Sequence, residues 1–453
     1  MLIVSLAASF LTPFMVSSVN IALPSIGRDL SMGAVEMSWV TTAYLLCSTI
    51  FLIPFGKIAD AYGRKRIFFI GILVITLSSL LSAIADNGVL LIATRILHGV
   101  GAAMVFGTGM AMLTSVFPPE KRGRVLGINV SFTYLGLTLG PVIGGFLTHH
   151  LGWRSLFLVN IPVGVAVLAI VGSRIRQEWA EKESGAFDLW GALLYGASIA
   201  LVIIGFSRLT HVYGILLLAT GLAAGAMFIR LETRASRPIL PIVLFRSNRV
   251  FAWSNIAAFI NYSSTFAVGF LMSLYLQYIK GFGPDKAGII MIAQPVVMVL
   301  VSPLAGRLSD RIEPRIPAST GMGCIFFGLF LCIWLDAATS IAFLLLIMVL
   351  LGCGFALFSS PNTSAIMGSV DRKDYGIASA TAGTMRLSGQ VLSMGFTLLL
   401  ISTMIGQGPI VPGRYPQFLK MMHTVSVLFA AMSIIGVAVS LVRGDVRNTN
   451  DAQ

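Results

Sequence analysis

Three ionisable side chains stand inside long apolar runs of this sequence: Arg95, His98 and Arg386. A charge in a low-dielectric medium is costly, so such groups normally face a protein interior and mark a path for something polar. Arginine stays charged and offers a rigid fork of donors that suits a carboxylate or phosphate. Histidine titrates near neutrality and can relay a proton. Each also has a plainer reading. Either arginine can simply hold a neighbouring carbonyl, and His98, one turn after Arg95, can be an ordinary hydrogen-bonding side chain. Asn20, Gln294 and Gln390 are uncharged polar candidates in comparable surroundings, suited to orienting a small solute.

A second kind of chemistry is packed into Gly56-Lys57-Ile58-Ala59-Asp60-Ala61-Tyr62-Gly63-Arg64-Lys65-Arg66, with four bases, one acid and two glycines between apolar runs. It reads as a loop. Gly56 and Gly63 permit a tight reversal, and Asp60 can accept from Arg64 or sit against the positive end of a neighbouring helix. Such a cluster can latch one state of a moving assembly. The competing reading is that the bases only fix topology, which covers Lys57 and Arg66 but leaves Asp60 and the glycines unused. A thinner copy stands 250 positions later, where Gly306, Asp310 and Arg315 repeat Gly56, Asp60 and Lys65. The chain is therefore built from two related halves.

Other chemistries are not written here. The four cysteines (Cys47, Cys324, Cys332, Cys353) lie apart within apolar runs and form no C-x-x-C pair, so no zinc site or disulfide framework is indicated. There is no phosphate-binding G-x-x-x-x-G-K-[ST] and no H-E-x-x-H. The expectation is a protein without cofactor or metal, and not an enzyme.

The elements that position these residues follow from composition. Of 453 residues, 56% are hydrophobic and 11% charged, and the mean hydropathy is +0.89. Soluble domains carry about 25% charged residues, so the fold class is an all-α polytopic membrane protein. A crossing helix needs roughly 20 apolar residues. By that measure there are fourteen spans, near 2–23, 38–55, 67–85, 89–115, 125–147, 155–173, 189–206, 212–229, 250–272, 287–305, 317–335, 341–360, 376–402 and 420–442. Arg95 then lies about 9 Å into the fourth span and Arg386 about 15 Å into the thirteenth, at 1.5 Å per residue.

The net charge of +13 belongs to short clusters between spans, which fits the basic bias of cytoplasmic loops and gives no basic face for nucleic acid. With Lys57–Arg66 inside, 22 of the 31 Lys and Arg residues are cytoplasmic and 7 external. Both termini are then cytoplasmic, in a multi-pass protein of the plasma membrane. The expected division is a six-helix bundle over 1–174, a linker with two extra spans over 175–248, a second six-helix bundle over 249–443 and a tail over 444–453. Parallel repeats of this kind place a solute site near the midplane.

In the fifth span Gly136, Gly140 and Gly144 recur every four residues on one face, followed by Gly145. Small faces let membrane helices approach closely, and Pro141 predicts a kink. Generic helix packing is the alternative to a gating role.

These stretches resemble the major facilitator superfamily. Gly56–Arg66 is similar to its loop signature, Leu91–Gly99 to its fourth-helix motif with a buried arginine, and Gly136–Gly145 to the fifth-helix motif of its exporters. Asn20–Pro24, Phe187–Gly191 and Pro238–Phe245 resemble its fourteen-span drug:proton antiporter branch. The resemblance implies two six-helix bundles plus a two-helix insert, a monomer, and a proton-coupled exporter of drugs or metabolites working by alternating access. It implies that Gly56, Asp60, Gly63, Arg64, Lys65, Gly306, Asp310 and Arg315 gate, and that Gly136, Gly140, Pro141, Gly144 and Gly145 form the exporter helix. Arg95, His98 and Arg386 are the buried coupling candidates. One departure matters. The branch usually has an aspartate five residues before Asn20, and here that residue is Met15. With no carboxylate set deep in a span, the expected cargo is neutral, zwitterionic or anionic, and an uncoupled or exchange-type facilitator or flippase for an amphiphilic metabolite or lipid is the second reading.

Overall fold

A computed structural model of the protein describes residues 1–117, 119–175, 177–179, 188–234, 242–371 and 374–444. Phe187, Pro238–Pro241 and the tail beyond residue 444, which the sequence reading uses, lie outside the described residues. Among the described residues there are helices and no strands, and fourteen helical segments are long and apolar enough to cross a membrane. All fourteen expected spans are found.

In chain order the helices are α1 (Leu2–Asp29), α2 (Ala34–Tyr62), α3 (Arg64–Ala83), α4 (Gly88–Val116), α5 (Pro119–Leu151), α6 (Arg154–Arg174), α7 (Leu189–Ser207) and α8 (Val212–Glu232). A short α9 (Ile242–Ser247) precedes α10 (Arg249–Leu274), which runs into a π-turn at Tyr275–Ile279. Then come α11 (Pro284–Met291), α12 (Ala293–Arg311), α13 (Arg315–Leu331), α14 (Ile341–Gly368), α15 (Tyr375–Met404) and α16 (Tyr415–Val442). The tenth span is thus made of α11 and α12, joined at Ile292. Hydropathy locates the spans but underestimates several helices. α2, for example, continues from the apolar run to Tyr62, because a helix need not stop where its residues turn polar. Several starts are fixed by side-chain caps on otherwise unmet backbone N–H groups. Asn87 Oδ1 accepts from Leu90 N–H at 2.8 Å, and Asp188 Oδ1 from Gly191 N–H at 2.8 Å.

The chain divides into two compact units. The first contains Met1–Phe228 together with Ser273–Ile289 and Gly406–Pro409. In it α1 packs along α5, α4 against both α2 and α3, and α3 against α6. Its core is apolar, with Val4, Phe68, Ile72, Val105, Met112 and Val171 in one cluster. The α7–α8 hairpin joins this unit through α2 and is bound together by Ser198 Oγ donating to Gly221 O at 2.9 Å.

The second unit contains Ile229–Met272, Ile290–Ile405 and Ile410–Gln453. Here α14 packs against α12 and α13, and α13 against α16. These are the same second-to-fourth, third-to-fourth and third-to-sixth contacts as in the first unit. The two halves of the sequence therefore share a packing pattern as well as a motif.

Candidate functional site

The charge cluster after α2 is not a loop. Gly56–Tyr62 are helical and the whole reversal is made at Gly63, which takes φ +113. α3 starts at Arg64. That φ lies where a side chain is strained and glycine is not. Asp60 Oδ1 accepts from Arg64 Nε at 2.8 Å, and Arg64 Nη1 donates to Ser115 Oγ on α4 at 2.9 Å. The open N-terminus of α3 is closed from far along the chain. Arg64 N–H donates to Trp179 O at 2.9 Å, and Lys65 N–H to Glu178 Oε1 at 2.8 Å. The carbonyl meets one unmet donor, and the carboxylate meets the other and the positive end of the helix dipole. Trp179 also packs against the apolar cluster of the unit. The clasp thus joins α2, α3, α4 and the segment after α6. In the second half, Gly306 and Asp310 lie within α12 and Arg315 opens α13, so the repeat keeps the helix–turn–helix placement. A further base sits near it. Arg443, just beyond α16, is fully buried and donates to Asn362 Oδ1 at 3.0 Å. Burial pushes its pKa down to about 10, with Glu313 acting in the opposite sense.

The glycine face of α5 lies on α1. A Cβ at Gly136 would meet Phe10 O, one at Gly140 would stand 2.6 Å from Ser17 Cβ, and one at Gly144 2.7 Å from Ser18 Cα. Two serines use this closeness. Ser18 Oγ donates to Gly140 O at 3.0 Å, and Ser17 Oγ to Leu137 O at 3.3 Å. Leu137 is four residues before Pro141, so its carbonyl is the one the missing proline N–H would have served. Further along, a Cβ at Gly145 would meet Pro284 O and one at Gly288 would meet Pro141 O. In the first unit, the end of α5 therefore touches the start of α11 backbone to backbone.

Arg95 is fully buried on α4. Its Nε donates to Val40 O at 3.2 Å, and its guanidinium lies 4.5 Å from the centre of the Tyr44 ring. Nη1 has no partner among the described residues. Tyr44 in turn stands edge-on to His98, with centroids 5.6 Å apart. His98 is likewise buried and its Nδ1 is unmet among the described residues. Arg95, Tyr44 and His98 are thus brought together, with Tyr44 absent from the sequence-level candidates because an aromatic in an apolar run carries no signal of its own.

Asn20 Oδ1 accepts from Thr41 Oγ1 at 2.9 Å. The Asn20 carbonyl accepts from Ser273 Oγ at 2.7 Å, and the Ile21 carbonyl from Gln277 Nε2 at 2.8 Å. Both carbonyls precede Pro24 on a helix that carries Pro13 and Pro24. Asn20 O is the i−4 carbonyl of Pro24, so Ser273 does for α1 what Ser17 does for α5. Met15 is buried among the core residues of this unit. In the second unit, Arg386 and Gln390 are half-buried on α15 and Gln294 is half-buried on α12. No described residue bonds to the Arg386 side chain. The α15 helix meets α10 through Gly389, where a Cβ would lie 2.9 Å from Tyr262 Cβ. The sequence did not reveal Ser17, Ser18, Glu178, Ser273, Gln277 or Arg443. A proline four residues after a carbonyl is the one signal that pointed to any of them.

Comparison with known proteins fits this geometry. The family model described as Major Facilitator Superfamily matches residues 5–394. The riboflavin transporter RibZ of Clostridioides difficile (strain 630) is 30% identical over 383 residues, which is 84% of this chain and 83% of that protein. The multidrug resistance protein Stp of Mycobacterium tuberculosis (strain CDC 1551 / Oshkosh) is 33% identical, covering 84% of this chain and 71% of its own. The cephamycin export protein CmcT of Amycolatopsis lactamdurans is 31% identical, covering 90% and 85%. Among solved structures, a bacterial homologue of the human lysosomal transporter Spinster superposes with a TM-score of 0.69 at 16% identity, covering 100% of this chain and 98% of the other. Family match, relatives and fourteen-span helical fold agree: the chain belongs to the Major Facilitator Superfamily, as a multi-pass membrane protein and a secondary transporter of the export type.

Proposed function

We propose that the protein exports a neutral, zwitterionic or anionic amphiphile across the plasma membrane, in exchange for protons and as a monomer. The observation that carries this reading is the charge inside the spans. All eighteen acids lie between spans or near helix ends, Met15 occupies the position of the branch's aspartate, and Arg386 is a half-buried cation without a described partner. A lipophilic cation would find no carboxylate to pair with, and leaving it unpaired away from water would cost several kcal/mol. An anion or a carbonyl-rich ring system would find the Arg386 fork, with Gln390 and Gln294 of the same unit as orienting groups. Two relatives are named for riboflavin and for a cephamycin, neither of them a quaternary cation.

Both termini face the cytoplasm in this reading, and the bundles 1–174 and 249–443 alternate, with 175–248 linking them. The clasp around Gly63, with Asp60, Arg64, Lys65 and Glu178, holds the cytoplasmic end of the first bundle in one state. Gly306, Asp310 and Arg315 form its counterpart. The Gly136–Gly145 face with Pro141 is the exporter helix. Arg95 acts through Val40 and Tyr44 as an internal strut, and His98 is a packed neighbour of that strut.

The test is flux in proteoliposomes under an imposed pH gradient, with panels of organic cations, anions and neutral amphiphiles. Anions or neutral amphiphiles should move with the gradient, Arg386→Ala should reduce their flux at least tenfold, and His98→Ala should leave coupling intact. Robust extrusion of ethidium or a quaternary ammonium would overturn the cargo class, and flux indifferent to the gradient would remove proton exchange.

A further inference from the structure

If protons are exchanged, some group must bind them, and no carboxylate stands deep in a span to do so. His98 is sealed behind Tyr44 beside a permanent cation. A different pair has the required chemistry. His149 Nδ1 lies 3.5 Å from Asp285 Oδ1, with side-chain exposures of 46% and 34%, so water and protons reach both. His149 stands on the last turn of α5, one turn beyond Gly145, and Asp285 on the first turn of α11. The pair thus borders the place where Gly145 meets Pro284 and Gly288 meets Pro141, where neither helix has room for a Cβ. A contact made by bare backbone has no side-chain interlock, so what holds it shut depends on the groups at its edge.

We propose that His149 and Asp285 form the proton-binding site through which external pH closes this contact in the transport cycle. The inference rests on the exporter reading and on its orientation, which puts these helix ends outside. Protonated, His149 is a cation facing a carboxylate and draws α5 to α11. Neutral, it contributes a weak hydrogen bond at most. The stabilisation is therefore present while His149 holds a proton and is lost when it gives that proton up. An exporter driven by a proton gradient needs this sign: after the cargo leaves, a proton taken from the acidic exterior favours closure on that side.

The other charged groups at this end are identifiable. His150, on α5 itself, stacks edge-on against His149 with ring centroids 4.8 Å apart, and its ring also lies against Phe146. Lys286 follows Asp285, Lys280 lies in the preceding turn, and Asp29 pairs with Arg154 where α1 meets α6. Of these, His150 is the rival titrating group and serves as the control.

The experiment measures the closed-to-open ratio at the outer end of the substrate-free, full-length transporter in nanodiscs. Spin labels at Leu151 and Ile289, both well exposed, report the separation of α5 and α11 by electron–electron distance spectroscopy between pH 5.5 and pH 8. An exposed ion pair is worth up to about 1 kcal/mol, or roughly a fivefold change in the ratio. The wild type should show a two- to fivefold rise in the closed form at acidic pH. His149→Gln and Asp285→Asn should flatten the response, His149→Lys should hold the acidic ratio at every pH, and His150→Gln should keep the wild-type response. A wild-type response that survives in His149→Gln, or that disappears in His150→Gln alone, overturns the assignment. Because no cargo is present, failure of the exporter reading would appear separately, as absent flux with the pH response intact.

Discussion

The approach of α5 to α1 is a close main-chain contact, and Gly144→Ala tests it directly. The added Cβ would sit 2.7 Å from both Ser18 Cα and Ser18 Cβ, whereas carbon atoms rest at about 3.5–4.0 Å. The shortfall is about 1 Å, and because Ser18 Cα is main chain no rotamer change relieves it. α1 must shift off α5 locally. The Ser18 Oγ to Gly140 O bond, 3.0 Å long, would then stretch toward about 4 Å, beyond any useful hydrogen bond. Overpacking costs about 1–3 kcal/mol and the lost bond about 0.5–1.5 kcal/mol. Alanine regains about 1 kcal/mol of helix propensity, so the net destabilisation is about 0.5–3.5 kcal/mol. Gly323→Ala on α13 is the matched control, since nothing lies within 4 Å of its Cβ and only the propensity gain remains.

Thermal melting of the purified protein in nanodiscs should separate the two variants by about 2–5 °C, at roughly 1 °C per kcal/mol for a chain of this length. The compensating change discriminates further. A Cβ at Gly140 is opposed mainly by the Ser17 side chain, with Ser17 Cβ at 2.6 Å, so Ser17→Gly should recover much of the loss caused by Gly140→Ala. Ser18→Gly should not rescue Gly144→Ala, because the Ser18 Cα obstacle remains. Equal melting of Gly144→Ala and Gly323→Ala, or full rescue by Ser18→Gly, would refute the account of this interface as a main-chain contact.

Three other perturbations have distinct expected outcomes. Gly63→Ala should lower stability by about 2 kcal/mol or more in nanodisc melts, from backbone strain at φ +113 and a Cβ directed at the Glu178 carboxyl; Glu178→Gln, which keeps an acceptor but not the charge, should cost under about 1 kcal/mol. Ser17→Ala should lose about 0.5–1.5 kcal/mol by uncapping Leu137 O, and the loss should vanish in a Pro141→Ala background, because the backbone N–H gained there serves that carbonyl. Arg95→Met should melt within a few degrees of wild type, since exchanging a buried charge for an apolar chain of similar volume is often neutral, while flux falls at least tenfold; an unchanged flux would make Arg95 a packing residue only.

What could be read from the residues alone, and what could not, divides along physical lines. All fourteen spans were legible because the cost of burying polar groups in lipid is paid residue by residue and leaves an unbroken apolar run. The repeated Gly, Asp and basic positions were legible because both copies had to make the same reversal between a second and a third helix. Helix ends were less so. α2 carries Asp60 as a helical residue, and a turn of the single residue Gly63 leaves no polar stretch to mark it. The partners were least visible. Glu178 reaches Lys65 across 113 positions, Ser17 reaches Leu137 across 120, and Ser273 reaches Asn20 across 253. Yet two of these share a cause that the sequence does state. Pro141 and Pro24 each strip the donor from a carbonyl four residues back, and in a membrane that carbonyl has no water to turn to. A hydroxyl from a neighbouring helix must supply the bond, so each proline fixes not only a bend but the identity and distance of its neighbour. The prolines of α1 and α5 are thereby read as docking marks, one set by Ser17 on α1 and one by Ser273 at the end of α10. The same reasoning assigns Pro54, Pro162, Pro303 and Pro361 a bare carbonyl each, at Ile50, Leu158, Val299 and Leu357, where the motions of their helices are to be sought.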